Sequence, residues 1–126
     1  MATIEIPIAS LDLSVLAGDW RNTNGHGRIA RLVLRTGDAG QMSVQAWGNA
    51  EETNGWGTVP AATFAFTFDS TEAGAFNAVF DLGYENVHLQ ANVKQGVLVV
   101  ASFNRFTDRS GRSNYFDREF FHRIAA

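Results

Sequence analysis

A chain of 126 residues is long enough for one domain with a core of its own, and a hydrophobic share of 45% is that of an ordinary globular protein. Cysteine is absent, which removes disulfides and thiolate chemistry. The net charge of −3 provides no basic stripe for a nucleic-acid backbone, and no apolar run approaches the roughly 20 residues of a membrane-spanning helix.

At the N-terminus Ile4, Ile6 and Ile8 alternate with Thr3, Glu5 and Pro7, which reads as a short extended arm at a sheet edge. Its first residues lack the basic and long apolar regions of a signal peptide, so a cytoplasmic protein is expected. Ser10 heads one or two helical turns over residues 11–16, ended by Gly18. Residues 1–17 are thus arm and turn, and 18–124 form the barrel.

Short alternating segments then follow one another. The spacing predicts strands over 19–23, 28–36, 41–48, 61–68, 75–82, 86–94, 97–106 and 114–124. Turn chemistry separates them: Asn24-Gly25, Gly37-Asp38-Ala39-Gly40, residues 69–74, Gly83-Tyr84-Glu85 and Gln95-Gly96. Two connections are longer. Residues 49–60 hold Trp56 between two glycines, and residues 107–113 hold Asp108, Arg109 and Arg112. The pattern predicts an all-β domain, an eight-stranded antiparallel up-and-down β-barrel.

Parity sorts the faces. Phe64, Phe66 and Phe68 share one face of their strand; Phe76, Ala78, Phe80 and Leu82 share another, as do Val87, Leu89, Ala91 and Val93. The plain expectation is that every apolar face points inward. Ser43, Gln45 and Trp47, and Arg31 and Arg35 about Val33, leave open a wet lumen lined by a partly polar face.

The segment Leu16-Ala17-Gly18-Asp19-Trp20-Arg21-Asn22 resembles the Gly-x-Trp opening of calycin barrels, the lipocalin, fatty-acid-binding and avidin group. The resemblance implies a helical turn leading into a first-strand Trp, with a cation from the last strand, Arg118 or Arg123, packed over Trp20. The chain is also similar, over residues 16–123, to small bacterial β-barrel domains of uncharacterised function. That similarity rests on residues 18–22, Trp56-Gly57 and residues 106–116. Those domains often carry a Cys pair flanking the segment before the Trp-Gly. Here residues 50–55 have none, so packing and hydrogen bonds must hold that loop.

Chemistry-bearing residues are scattered. His26, His88 and His122 have no metal-ligand spacing, so no metal and no cofactor is expected. Asp117-Arg118-Glu119 reads as a cross-strand salt network or, alternatively, as an inward Arg118 gripping an anion. Asp108 with Arg112 reads as a self-capping turn, or Arg112 as a guard at the barrel mouth. Asp81 and Glu119 are carboxylates near the candidate walls. Trp47, Trp56, Tyr84 and Tyr115 are the residues able to stack on a ligand, with Arg112 and Arg118 as its polar contacts.

No nucleophile elbow, phosphate loop or dinucleotide fingerprint is present. The pattern therefore points first to a binding module holding one small, partly apolar molecule in or at the mouth of the barrel. A cofactor-free cyclase or isomerase of secondary metabolism, working by confinement, is the alternative. A carbohydrate-binding module using Trp56 and Tyr84 is the third. The expected partner is a small molecule, not nucleic acid or membrane. The three Ile of the arm favour a homodimer.

Overall fold

A computed structural model describes residues 11–49 and 55–125. Eight strands follow in chain order: β1 (Gly18–Asn22), β2 (Ile29–Thr36), β3 (Met42–Gly48), β4 (Gly57–Ala65), β5 (Ala73–Asp81), β6 (Glu85–Lys94), β7 (Val97–Phe106) and β8 (Tyr115–Ala125). Each pairs antiparallel with the next, and β8 pairs back onto β1, so the meander closes into a barrel. The arm at residues 3–8, the expected cap at Ser10 and residues 50–54 lie outside the described residues.

Most strands lie within two residues of their predicted spans. β4 is the exception, running over Gly57–Ala65 rather than 61–68. Its first half pairs with β3, through Ala46↔Gly57 to Met42↔Ala61, and only its second half, Ala62–Ala65, pairs with β5. Pro60 sits in the half bound to β3 alone, where its missing N–H interrupts no second ladder. Beyond Ala65 the place beside residues 71–73 is taken by the N-terminal turn. The Asp12 amide donates to Thr71 at 2.8 Å, and the Ala73 amide donates to the Asp12 carbonyl at 2.9 Å. Phe66 and Phe68 are therefore bend and turn residues. Phe64, Phe66 and Phe68 all lie outside, Phe68 entirely so at 103% exposure. Their predicted apolar face is not a core face.

The inward rows are Leu32 and Leu34 of β2, Met42, Val44 and Ala46 of β3, Phe76, Ala78 and Phe80 of β5, and Val87, Leu89 and Ala91 of β6, all buried. Leu98 and Val100 of β7, Trp20 of β1 and Phe121 of β8 complete the packing. Side chains thus fill the barrel interior as in other small barrels. Val33 is buried, but Arg31, Arg35, Gln45 and Trp47 belong to the outward parity, so they do not line a wet lumen. Arg31 instead forms a two-pronged pair with Asp19, at 2.9 and 2.7 Å, and lies 4.6 Å over the Trp47 ring on the outer surface.

One end of the barrel is plugged. Leu13 and Leu16 are buried beneath a single turn in which the Leu13 carbonyl accepts from Leu16 and Ala17 at 3.0 and 2.9 Å. The Trp20 indole N–H donates to the Leu16 carbonyl at 2.8 Å. Arg123 stacks over Trp20 at 4.5 Å and donates to the Val15 carbonyl, so Arg123 rather than Arg118 supplies the expected cation.

Candidate functional site

Because the strands run in a meander, the connections after β1, β3, β5 and β7 emerge together at the end opposite that plug. The side chains they carry form a continuous stack. Tyr84 and Phe106 lie under the Arg112 guanidinium, at 5.6 and 4.2 Å. Phe106 meets Tyr115 at 6.2 Å between ring centres, and the Tyr115 hydroxyl accepts from Arg28. Arg28 in turn covers Trp56 at 5.3 Å, and Trp56 meets the buried Phe80 edge-on at 5.7 Å. Of the six predicted ligand contacts, Trp56, Tyr84, Tyr115 and Arg112 thus gather at one mouth. Trp47 and Arg118 stand apart on the outer wall, Arg118 over the Phe116 ring at 5.7 Å.

Local hydrogen bonds set this rim. Asp108 accepts from the Ser110 amide at 3.1 Å and from Arg112 at 2.6 Å, the self-capping turn expected there. The Ser110 hydrogen bond, and then Arg112, hold the Asp108 carboxyl below its ordinary value. Thr107 ties the loop to the neighbouring turn, its amide donating to the Tyr84 carbonyl at 2.9 Å and its hydroxyl to that of Gly83 at 3.0 Å.

Beneath the rim lies a polar layer. Glu85 is 0% exposed, and its two carboxylate oxygens accept from both terminal nitrogens of Arg28, one at 3.1 Å. A fully buried carboxylate needs such a fork to offset its desolvation. The Glu85 bonds, joined by the Tyr115 hydroxyl, raise the Arg28 pKa above its ordinary value. Further round the wall β7 places Ser102 and Asn104 inward, opposite Asp117 and Tyr115 of β8, and Val100 opposite Glu119. The Ser102 hydroxyl donates to Asp117. Asp117 and Glu119 therefore face inward and Arg118 outward, which replaces both the salt network and the inward Arg118 expected from sequence. Asp81 is exposed on the outer face.

Asn104 is 2% exposed. Its amide nitrogen donates to the carbonyls of Ser102 and Tyr115, at 3.4 and 3.3 Å, and to the Ser102 hydroxyl at 3.3 Å. Two carbonyl acceptors on one side fix the amide orientation and turn Oδ1 away from them. That oxygen is buried and, among the described residues, has no hydrogen-bond partner. Leaving a buried acceptor unpaired costs about 1–3 kcal/mol.

Arg28, Glu85, Ser102 and Asn104 were not singled out by sequence. Only β7 held a clue: its row Leu98, Val100, Ser102, Asn104 turns from apolar to polar along one face. Among the described residues no group of three or more His, Asp or Glu side chains is placed to hold a metal.

The arrangement defines the class: a closed, eight-stranded antiparallel meander barrel of calycin-like topology, plugged at one end and polar and aromatic at the other. No protein-family model, curated protein or solved structure matches the chain.

Proposed function

We propose that the aromatic mouth binds a small, partly apolar molecule whose polar tip donates a hydrogen bond to Asn104. The carrying observation is the unpartnered, buried Asn104 Oδ1 beneath a rim of stacked aromatic and guanidinium groups. A ligand hydroxyl or amine restores the missing bond, and flat or alicyclic parts of the ligand lie against Tyr84, Tyr115 and Trp56. Since side chains fill the lumen, the ligand body stays at the mouth and only its tip reaches inward. Tyr115, 37% exposed, is the rim side chain that must move aside. The test is thermal unfolding against fractionated metabolite extract. A ligand at 100 times its Kd stabilises by about 2.7 kcal/mol. Asn104→Leu should abolish that shift while leaving the free protein at least as stable. A shift retained in Asn104→Leu, or none from any fraction, overturns the reading.

A second reading follows from the inward Asp117 and Glu119: a cofactor-free isomerase or cyclase in which an inward carboxylate takes a proton from one position of the substrate and returns it at another. Asp117→Asn should then abolish turnover of a bound substrate without loss of affinity; unchanged turnover removes this reading.

A further inference from the structure

The outer wall of β5–β8 differs from the rest of the surface. Phe103, Phe116 and Phe120 stand about half exposed there, at 46, 49 and 47%, and Phe64 of the adjoining β4 is 47% exposed. Phe64 and Phe120 line a concavity of about 580 Å³. Its construction follows from the register. One row across the sheet reads Phe64, Ala75, Asn92, Val99, Phe120, with a Phe at each end and smaller side chains between. The adjacent row reads Asn77, Gln90, Ala101, Arg118. The two Phe stand four strands apart, at the two ends of the row. Three side-chain amides and the cations Lys94 and Arg118 border the trough. Among the described residues none of these five polar groups has a hydrogen-bond or ion-pair partner.

Charge decides what fits. Asp117 and Glu119 point inward and Glu85 is buried, so no outward position of β6, β7 or β8 carries a carboxylate. Lys94, Arg105 and Arg118 are the charged groups of that wall. A chain with a net charge of −3 thus keeps the outward face of β6–β8 free of carboxylates, while Asp81, the outward carboxylate of β5, stands at the mouth end of that strand. A second copy docked face to face over the trough would set Lys94 and Arg118 against their own copies, with Asp81 away at the mouth end of β5, which disfavours self-association here. A lipid surface would satisfy the Phe rings but leave the amides unpaired. The volume matches the roughly 300–1,000 Å³ of small-molecule sites.

We propose that this trough is a second site, separate from the mouth, for a small anion with a flat, hydrogen-bonding ring: a nucleoside phosphate. The ring lies against Phe120 or Phe64, its edge reads the Asn77, Gln90 and Asn92 amides, and its phosphate is held by Arg118 and Lys94. Amide side chains match the paired donors and acceptors of a base edge, and guanidinium matches phosphate.

The test is calorimetric titration of the full chain with AMP and GMP, beside adenosine, inorganic phosphate, a single-stranded dT oligomer and anionic vesicles. The expected result is saturable, salt-sensitive nucleotide binding, about tenfold or more weaker for adenosine and for phosphate alone. Arg118→Gln and Gln90→Ala should each weaken it about tenfold, whereas Arg112→Gln at the mouth should leave it unchanged. All three side chains are exposed, and an unchanged melting temperature confirms that each variant folds. Absence of nucleotide binding overturns the proposal, as does affinity unchanged in Arg118→Gln. Binding only to the oligomer or only to vesicles assigns the wall to a different partner and equally overturns it.

Discussion

Replacing Glu85 by Gln separates the buried ion pair from the packing around it. Glu85 is wholly buried, while the Arg28 side chain keeps 27% of its surface in solvent. Breaking a buried pair costs about 3–5 kcal/mol when the surviving charge is trapped. Arg28 is not fully trapped, and a Gln carbonyl still accepts one of its two hydrogen bonds, which together reduce the loss to about 2–4 kcal/mol. At about 4 °C per kcal/mol for a domain of this size, the melting temperature should fall by about 8–16 °C. Urea unfolding followed by tryptophan fluorescence measures the loss directly. The double variant Arg28→Met/Glu85→Leu should recover to within about 1 kcal/mol of the parent, because neither charge is then stranded. A Glu85→Gln cost below about 0.5 kcal/mol, or a double variant no better than the single one, would refute the reasoning.

Other substitutions probe the frame around the site. Gly27→Ala places a Cβ 2.2 Å from Asn22 Nδ2, which donates to the Ile29 carbonyl, so equilibrium unfolding should show a loss of about 1–2 kcal/mol. Arg123→Met removes the cation over Trp20 and should cost about 1–2 kcal/mol, with a change in near-ultraviolet dichroism of that indole. The Arg31 hydrogen bond depresses the Asp19 pKa, so this pair stabilises the fold above the unfolded-state value near 4 and loses that contribution as pH falls through the lower folded value. Acid unfolding of Asp19→Asn should accordingly show a shallower fall in stability below about pH 4; an unchanged acid limb contradicts the assignment.

Turn residues and parity made most of the barrel legible, because hairpin chemistry is local and the alternating rows of β5 and β6 leave one clear inward face. Legibility ended where both faces of a strand are mixed. In β8 the aromatic pair Phe116 and Phe120 looks like the core row, yet pairing of Leu98 with Phe121 and of Trp20 with Arg123 forces the other row inward. Asp117 and Glu119 then face the lumen, a result of neighbouring strands that β8 alone does not encode. The same holds for Glu85, which follows a Gly-Tyr turn and looks solvated, because its partner Arg28 lies 57 residues away. Trp56 stood out in the sequence between its two flanking glycines, and the structure places it at the rim; Asn104 became conspicuous only once its two carbonyl partners were known.

The closure of the meander has a kinetic consequence. Successive strands meet through short connections, so seven of the eight seams can form by local zippering. The remaining seam joins Trp20 to Arg123, across about 100 residues, and the entropy of closing such a loop is about 4 kcal/mol before any contact compensates it. That seam rests on β1, only five residues long. Barrel closure is therefore the natural last step of folding and the first to reverse. Amide protons of β1 should exchange ahead of those in β6 and β7, with the molecule opening along one seam into a curved sheet before it unfolds.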